Sequence, residues 1–219
     1  MASSRKNIGR YTVKITLKGD YQGSKSVYFY ILPGKTSSVK SAEQTTTSVT
    51  LKWSAVSGAA GYVVYRYSPS KGAYVKSGTT TGTAFTVKSL YTGTKYTFRV
   101  KAYGKTTAGK IYYSDEYTTI KTATKTKTPT LSKVTSPSAG QARLYWSSVS
   151  GETGYTVYYS TYSNLGFKKY KNYSANSTGG YATELTRGKT YYFKVRCYIK
   201  TDSGYVYSDW SSVKSVKIK

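Results

Sequence analysis

The chain has 219 residues, room for one or two domains with cores of their own. It carries 34 Lys and Arg against 8 Asp and Glu, a formal charge of +26, with 27 Tyr, 5 Phe, 4 Pro and no His. The abundant aromatics exclude a disordered polycation, the missing imidazoles exclude His-dependent triads and the commonest metal ligand, and Tyr with Thr favours strands over helices.

In chain order, residues 1–6 read MASSRK, without the apolar stretch of a signal peptide. They look like an expression scar, so the chain is expected to be a piece of a longer protein. No apolar run approaches the roughly 18 residues of a membrane span, and no membrane insertion is expected. In residues 8–32, Tyr11, Val13, Ile15 and Leu17 alternate with Thr12, Lys14 and Thr16. A turn around Gly19–Gly23 comes next, then a second alternating run, Val27–Leu32. This pattern predicts a β-hairpin, an N-terminal element within residues 1–33. A hairpin alone is marginal in water, so it either docks on the first domain or belongs with strands outside the chain. From residue 34 onward, Gly58, Gly61, Gly72, Gly78, Gly82, Gly93 and Gly109 punctuate short β-rich runs, a spacing that suits a seven-stranded sandwich of roughly 100 residues. The stretch Thr122–Thr130, TATKTKTPT, reads as a short, charged, fairly extended linker.

The second half then repeats the first. LKWSAVSGAAGYVVYRYS at Leu51–Ser68 aligns with LYWSSVSGETGYTVYYS at Leu144–Ser160, pairing Trp53 with Trp146 and Gly61-Tyr62 with Gly154-Tyr155. SLYTGTKYTFRVKAY at Ser89–Tyr103 aligns with ELTRGKTYYFKVRCY at Glu184–Tyr198, and Tyr113-Ser114-Asp115 aligns with Tyr207-Ser208-Asp209. The offsets are 93, 95 and 94 residues, so the repeating unit is a whole small domain whose loops vary in length. Within the second pair of stretches the period is two. Tyr96, Phe98, Val100 and Ala102 point one way and Arg99, Lys101 and Tyr103 the other; their counterparts are Tyr191, Phe193, Val195 and Cys197 against Lys194, Arg196 and Tyr198. The outward set is expected to be left free by the fold. Cys197, the single cysteine, cannot form an internal disulfide and reads as a small core residue.

The run W-S-x-V-S-G-x-x-G-Y-x-V-Y, with L-x-x-G-x-x-Y-x-F-x-V-x-A/C-Y after it, resembles the fibronectin type III domain, over residues 34–124 and again over 125–219. The resemblance implies an all-β fold: two tandem seven-stranded antiparallel β-sandwiches of fibronectin type III or immunoglobulin-like kind behind the hairpin. It implies a structural core of Trp53, Tyr62, Leu90 and Tyr96 in the first sandwich and Trp146, Tyr155, Leu185 and Tyr191 in the second. Tyr96 and Tyr191 match tyrosine corners, whose hydroxyls bond back to loop backbone. The hairpin is similar to the closing strands of a bacterial immunoglobulin-like module, and the Lys/Thr/Tyr/Gly-rich composition to Gram-positive gut bacterial surface proteins. Together these imply non-catalytic spacer and interaction modules of a larger extracellular or wall-attached protein at the bacterial cell surface. The chain is expected to be monomeric, with neighbouring domains of the same polypeptide as partners. Arg-Gly-Asp is absent, so integrin-type adhesion has no support.

Catalysis finds no constellation. The eight carboxylates, Asp20, Glu43, Asp115, Glu116, Glu152, Glu184, Asp202 and Asp209, offer no paired acid and base, since Asp115 and Asp209 occupy equivalent places in different repeats. Gly179-Gly180 lacks the Lys and Ser/Thr of a phosphate loop, and neither a metal nor a cofactor is expected. The sequons at Asn172 and Asn176 would matter only in a eukaryotic secretory pathway. Two features leave binding open. The basic charge either solubilises the sheet faces and guards strand edges or attracts cell-wall polyanions, with no sign of specific nucleic-acid recognition. Surplus aromatics expected to face outward, Tyr103, Tyr112, Tyr113, Tyr198, Tyr205, Tyr207 and Trp210, either form cross-strand ladders or stack on glycans and grip host glycoproteins. That second choice is the alternative reading, a carbohydrate- or host-protein-binding adhesin module.

Overall fold

The structure, a computed structural model, describes residues 7–219; the expectation for the first six residues lies outside this range. The first strands are β1 (Gly9–Thr16) and β2 (Ser24–Ile31), antiparallel with Gly9 opposite Ile31 and Thr16 opposite Ser24. Alternation places Tyr11, Val13 and Ile15 beside Phe29 and Val27 on one face, and the Tyr11 and Phe29 rings stack at 5.4 Å. Most of that apolar face is exposed. The hairpin docks through its base: Ile8 lies over Gly58 and Gly104, and a Cβ on Gly104 would meet Ile8 Cγ1 at 2.7 Å. Tyr30 approaches Tyr112 at 6.1 Å.

Strands β3 (Lys40–Gln44), β4 (Val49–Lys52) and β7 (Ala84–Val87) form a three-stranded sheet in that order. Its companion has the order β10-β8-β5-β6, from β5 (Gly61–Ser68), β6 (Ala73–Thr80), β8 (Lys95–Lys105) and β10 (Thr118–Ala123), with β9 (Ile111–Tyr113) also on β8. The second copy repeats the plan. Its smaller sheet is β11 (Leu131–Thr135), β12 (Ala142–Trp146) and β15 (Gly179–Ala182). Its larger sheet has the order β14-β13-β16-β17, from β13 (Gly154–Ser160), β14 (Lys168–Ser174), β16 (Thr190–Thr201) and β17 (Gly204–Tyr207), with β18 (Lys214–Lys217) also on β16. The seventh strand of each sandwich is thus in two pieces, β9 with β10 and β17 with β18.

By contacts the chain forms two compact units, one of the described residues up to Ala42 with Thr50–Val87 and Thr97–Ile120, the other of Glu43–Val49, Lys88–Tyr96 and Lys121–Lys219. In the first, Leu51, Trp53, Tyr62, Val64, Phe98 and Val100 are buried, and the Trp53 ring meets Tyr62 edge-on at 5.3 Å. In the second, Leu144, Trp146, Tyr155, Val157, Phe193, Val195 and Cys197 belong to one apolar cluster, against which Tyr159, Tyr170 and Tyr173 pack. Tyr therefore supplies core volume that aliphatic residues supply elsewhere.

The stretch read as a plain connector is anchored inside the second unit. Thr122, Ala123, Thr124 and Thr126 are buried, and Ala123 packs with Ile199 and Val206. Lys121 pairs with Asp202 at 2.9 Å and Lys125 with Asp209 at 2.6 Å. The threonines are polar in composition yet bury because their hydroxyls are satisfied: Thr124 donates to the Tyr91 carbonyl at 2.6 Å, and Thr126 bonds the Cys197 sulfur at 2.9 Å.

Candidate functional site on the outer faces of the larger sheets

Antiparallel pairing sorts the side chains of the longest strands. In β16 Tyr191, Phe193, Val195 and Cys197 are buried, leaving Lys194, Arg196 and Tyr198 on the outer face. In β8 Phe98, Val100 and Ala102 are buried, leaving Arg99, Lys101 and Tyr103 outside.

The break after β17 determines the cover on the outer face of the second sandwich. The Cys197 amide donates to Ser208 Oγ at 3.1 Å and the Val195 amide to Ser211 Oγ at 3.0 Å. In return the Ser208 and Ser211 amides donate to the carbonyls of Cys197 and Val195, at 3.0 and 2.9 Å. Two serine hydroxyls thus replace backbone acceptors, and the chain runs along β16 without strand geometry. Trp210, between them, comes to lie over the outer face. Arg196 Cζ sits 3.7 Å from the centre of the Tyr207 ring and 4.3 Å from that of Trp210. Lys194 Nζ sits 4.7 Å from Trp210 and 4.2 Å from Phe167. Tyr158 packs edge-on against Trp210 at 4.8 Å. Rings and cations alternate in the order Tyr207, Arg196, Trp210, Lys194, Phe167. Burial, and after it the Arg196 charge, hold the Lys194 amine below the ordinary lysine range.

The first sandwich has a shorter version. Arg99 Cζ lies 3.6 Å from the Tyr74 ring and 4.0 Å from Tyr117, with Lys101 Nζ 5.8 Å from Tyr117. The basic outward set is therefore not left free, which corrects the expectation from alternation. The guanidiniums are held between rings, and the Nε atoms of Arg99 and Arg196 are buried without a hydrogen-bond partner.

The predicted aromatic set separates into groups. Tyr198, Tyr205 and Tyr207 cluster, with centroids 5.3, 6.0 and 6.0 Å apart, and Tyr205 is 53% exposed. Tyr103 and Tyr113 meet edge-on at 6.1 Å. Tyr112 does not join them. It alternates to the other side of β9, half-buried beside Tyr30, and lines a cavity of ≈ 520 Å³ at the hairpin base with Ile8, Arg10 and Lys105. Tyr103 and Tyr198 lie across the glycines opposite them, Gly61 and Gly154. A Cβ on Gly154 would come within 2.7 Å of the Tyr198 hydroxyl and 2.6 Å of the Tyr173 carbonyl. Sequence reasoning missed Tyr74, Tyr117, Tyr158 and Phe167. The one local signal available was the Ser-Asp-Trp-Ser run at Ser208–Ser211.

Of the expected core residues, Trp53, Tyr62, Leu90, Trp146, Tyr155, Leu185 and Tyr191 are buried and Tyr96 is half-buried. Their hydroxyls serve the backbone. The Tyr91 amide donates to Tyr96 at 2.8 Å and the Thr186 amide to Tyr191 at 3.1 Å. A second pair escaped the sequence: the Val56 amide donates to Tyr62 at 2.8 Å and the Val149 amide to Tyr155 at 2.9 Å. Burial pushes the Tyr155 phenol up to about 12, whereas the Thr186 hydrogen bonds hold Tyr191 below its ordinary value. Among the described residues no cluster of three His, Cys, Asp or Glu could hold a metal ion, and no helix is long and apolar enough to cross a membrane.

Comparison with known proteins agrees with this architecture. Chitinase A1 of Niallia circulans is 35% identical over 119 residues, 52% of this chain and 16% of that protein, so the chain spans a small part of this relative. The FN1-FN3 domains of chicken CNTN1 superpose with a TM-score of 0.51 at 18% identity, covering 96% of this chain and 78% of theirs, a likeness of fold. A two-domain fibronectin type III segment of chicken tenascin, at 20% identity over 85% of this chain and 99% of its own, reaches a TM-score of only 0.44 and carries no weight. Residues 34–119, from ahead of β3 into β10, match the family model of the fibronectin type III domain.

Proposed function

We infer that the chain is a non-catalytic spacing segment of a larger secreted or wall-attached bacterial protein, setting apart and presenting neighbouring domains of the same polypeptide. The observation that carries this reading is that the repeated motif uses its polar groups on architecture. The hydroxyls of Tyr62, Tyr96, Tyr155 and Tyr191 all accept backbone amides. A match to 16% of a chitinase fits a module that accompanies an activity housed elsewhere. Replacement within the full polypeptide tests the role. An unrelated pair of sandwiches of equal length should preserve the activity of the neighbouring domains, and deletion of the segment should lower it. Equal loss from replacement and deletion overturns the spacing role.

A further inference from the structure

Beyond spacing, the geometry points to a site on the second sandwich for an acidic polysaccharide, with a sugar carboxylate held edge-on by Arg196 and a sugar ring stacked on Tyr205. Arg196 has two rings packed against its guanidinium, Tyr207 at 3.7 Å and Trp210 at 4.3 Å. A guanidinium stacked in this way keeps its N–H groups in the ring-to-ring slot, where they point along its own plane. Among the described residues Arg196 forms no ion pair, and its buried Nε is unsatisfied. A buried charged donor without a partner is costly, and an acceptor entering the slot removes that cost.

The acids of this sandwich do not supply the acceptor. Asp202 is taken by Lys121, Asp209 by Lys125, Glu152 accepts the Asn176 amide at 2.7 Å, and among the described residues no ion pair joins Glu184 to Arg196. Lys194 stands on the other side of Trp210 and keeps the slot positive. The slot selects shape as well as charge. A planar carboxylate meets the guanidinium fork through two oxygens in its own plane. Beside the slot Tyr205 is the open ring, 53% exposed and stacked with Tyr207 at 6.0 Å and 25°. Such a ring takes the C–H face of a sugar.

The test is calorimetric titration of the full chain with polygalacturonate, an uncharged gluco-oligosaccharide of similar length, dextran sulfate and a single-stranded oligonucleotide. Polygalacturonate should bind in low salt and weaken steeply as salt rises. Arg196→Gln should weaken it about tenfold or more, as loss of a bidentate charge-assisted contact does. Arg196→Lys, which keeps the charge and loses the planar fork, should recover little. Lys133→Gln, at an exposed position of β11, removes the same charge and should leave binding unchanged. Tyr205→Ala, at an exposed ring, gives a second readout that does not depend on how Arg196→Gln folds and should also weaken binding. The proposal is overturned by no binding of polygalacturonate, by equal loss in Lys133→Gln and Arg196→Gln, by equal binding of the uncharged sugar, or by tighter Arg196-dependent binding of dextran sulfate or the oligonucleotide. Each of these results leaves the spacing role standing.

Discussion

Replacing Tyr155 by Phe removes one oxygen from the most enclosed of the four tyrosine–amide bonds. The ring is fully buried and the donor, the Val149 amide, belongs to a residue only 8% exposed. Phenylalanine fills the same volume, so apolar burial is nearly constant and the change removes the hydroxyl alone, with its bond from Val149 and its interaction with Glu152. A buried N–H left without a partner costs about 1–3 kcal/mol, and this enclosed site is expected near 2 kcal/mol. Tyr96→Phe provides the contrast. Its donor is the amide of Tyr91, whose residue is 81% exposed, so water can replace the hydroxyl and the expected cost is about 0.5–1 kcal/mol. For a unit of this size each kcal/mol moves Tm by roughly 4–8 °C. Scanning calorimetry of the parent and both variants at neutral pH should therefore show the Tyr155→Phe shift at about twice the Tyr96→Phe shift or more. A Tyr96→Phe shift equal to or larger than that of Tyr155→Phe would refute the claim that burial of the donor sets the cost.

Gly154→Ala should destabilise by about 1–3 kcal/mol, because the new Cβ meets the Tyr173 carbonyl at 2.6 Å and that backbone cannot swing aside; a urea midpoint indistinguishable from the parent counts against it. At high pH the Tyr155 phenol, ordinarily at 10.0 and pushed up to about 12, favours the fold fully below pH 10 and progressively less as pH climbs to 12. Burial of Tyr173 acts in the same direction, while the lowered Lys194 acts oppositely, since its charge is a penalty that fades on deprotonation. Tyrosinate absorbance should accordingly show a late cooperative rise coincident with loss of the circular dichroism signal; one smooth rise centred near 10, with the signal intact at pH 12, contradicts this. The exposed Lys125–Asp209 pair should give about 0.2–1 kcal/mol in a double-mutant cycle and less in ~1 M salt. Cys197, fully buried, should resist a thiol reagent until denaturant is added, and fast labelling of the native chain would displace it from the core.

Period-two alternation and the doubled motif made the sandwiches legible, because both are written locally: Phe98, Val100 and Ala102 lie two residues apart and bury together. The outer faces were less legible because their partners arrive from distant strands. Tyr74 comes from β6 to cover Arg99 on β8, and Phe167 precedes β14 to cover Lys194 on β16. No spacing rule connects those positions. Tyr112 was misplaced by treating adjacent tyrosines as one surface, although neighbours on a strand face opposite ways. The linker was misread because Thr-Lys alternation looks solvated, and only the hydrogen bonds of Thr124 and Thr126 show why threonine can be buried there.

The excess of Tyr and the shortage of acids are two sides of one solution. With 34 cations and 8 carboxylates, ion pairing cannot accommodate the charge. Among the described residues, carboxylates hold Lys35, Lys121 and Lys125, through Glu116, Asp202 and Asp209. On the strands, aromatic faces take the carboxylate's place, each contact worth about 0.5–1 kcal/mol where exposed and about 2 where dry. The difference matters for what the surface can do. A carboxylate neutralises its partner, whereas a ring holds a cation in position and leaves its charge unneutralised. A sheet face built from rings and cations is therefore ordered, desolvated in part, and still electropositive, so its field reaches incoming polyanions within a screening length that shortens as salt rises. Arg196, fixed between two rings with its edge unmatched, is where that field ends in a shaped group.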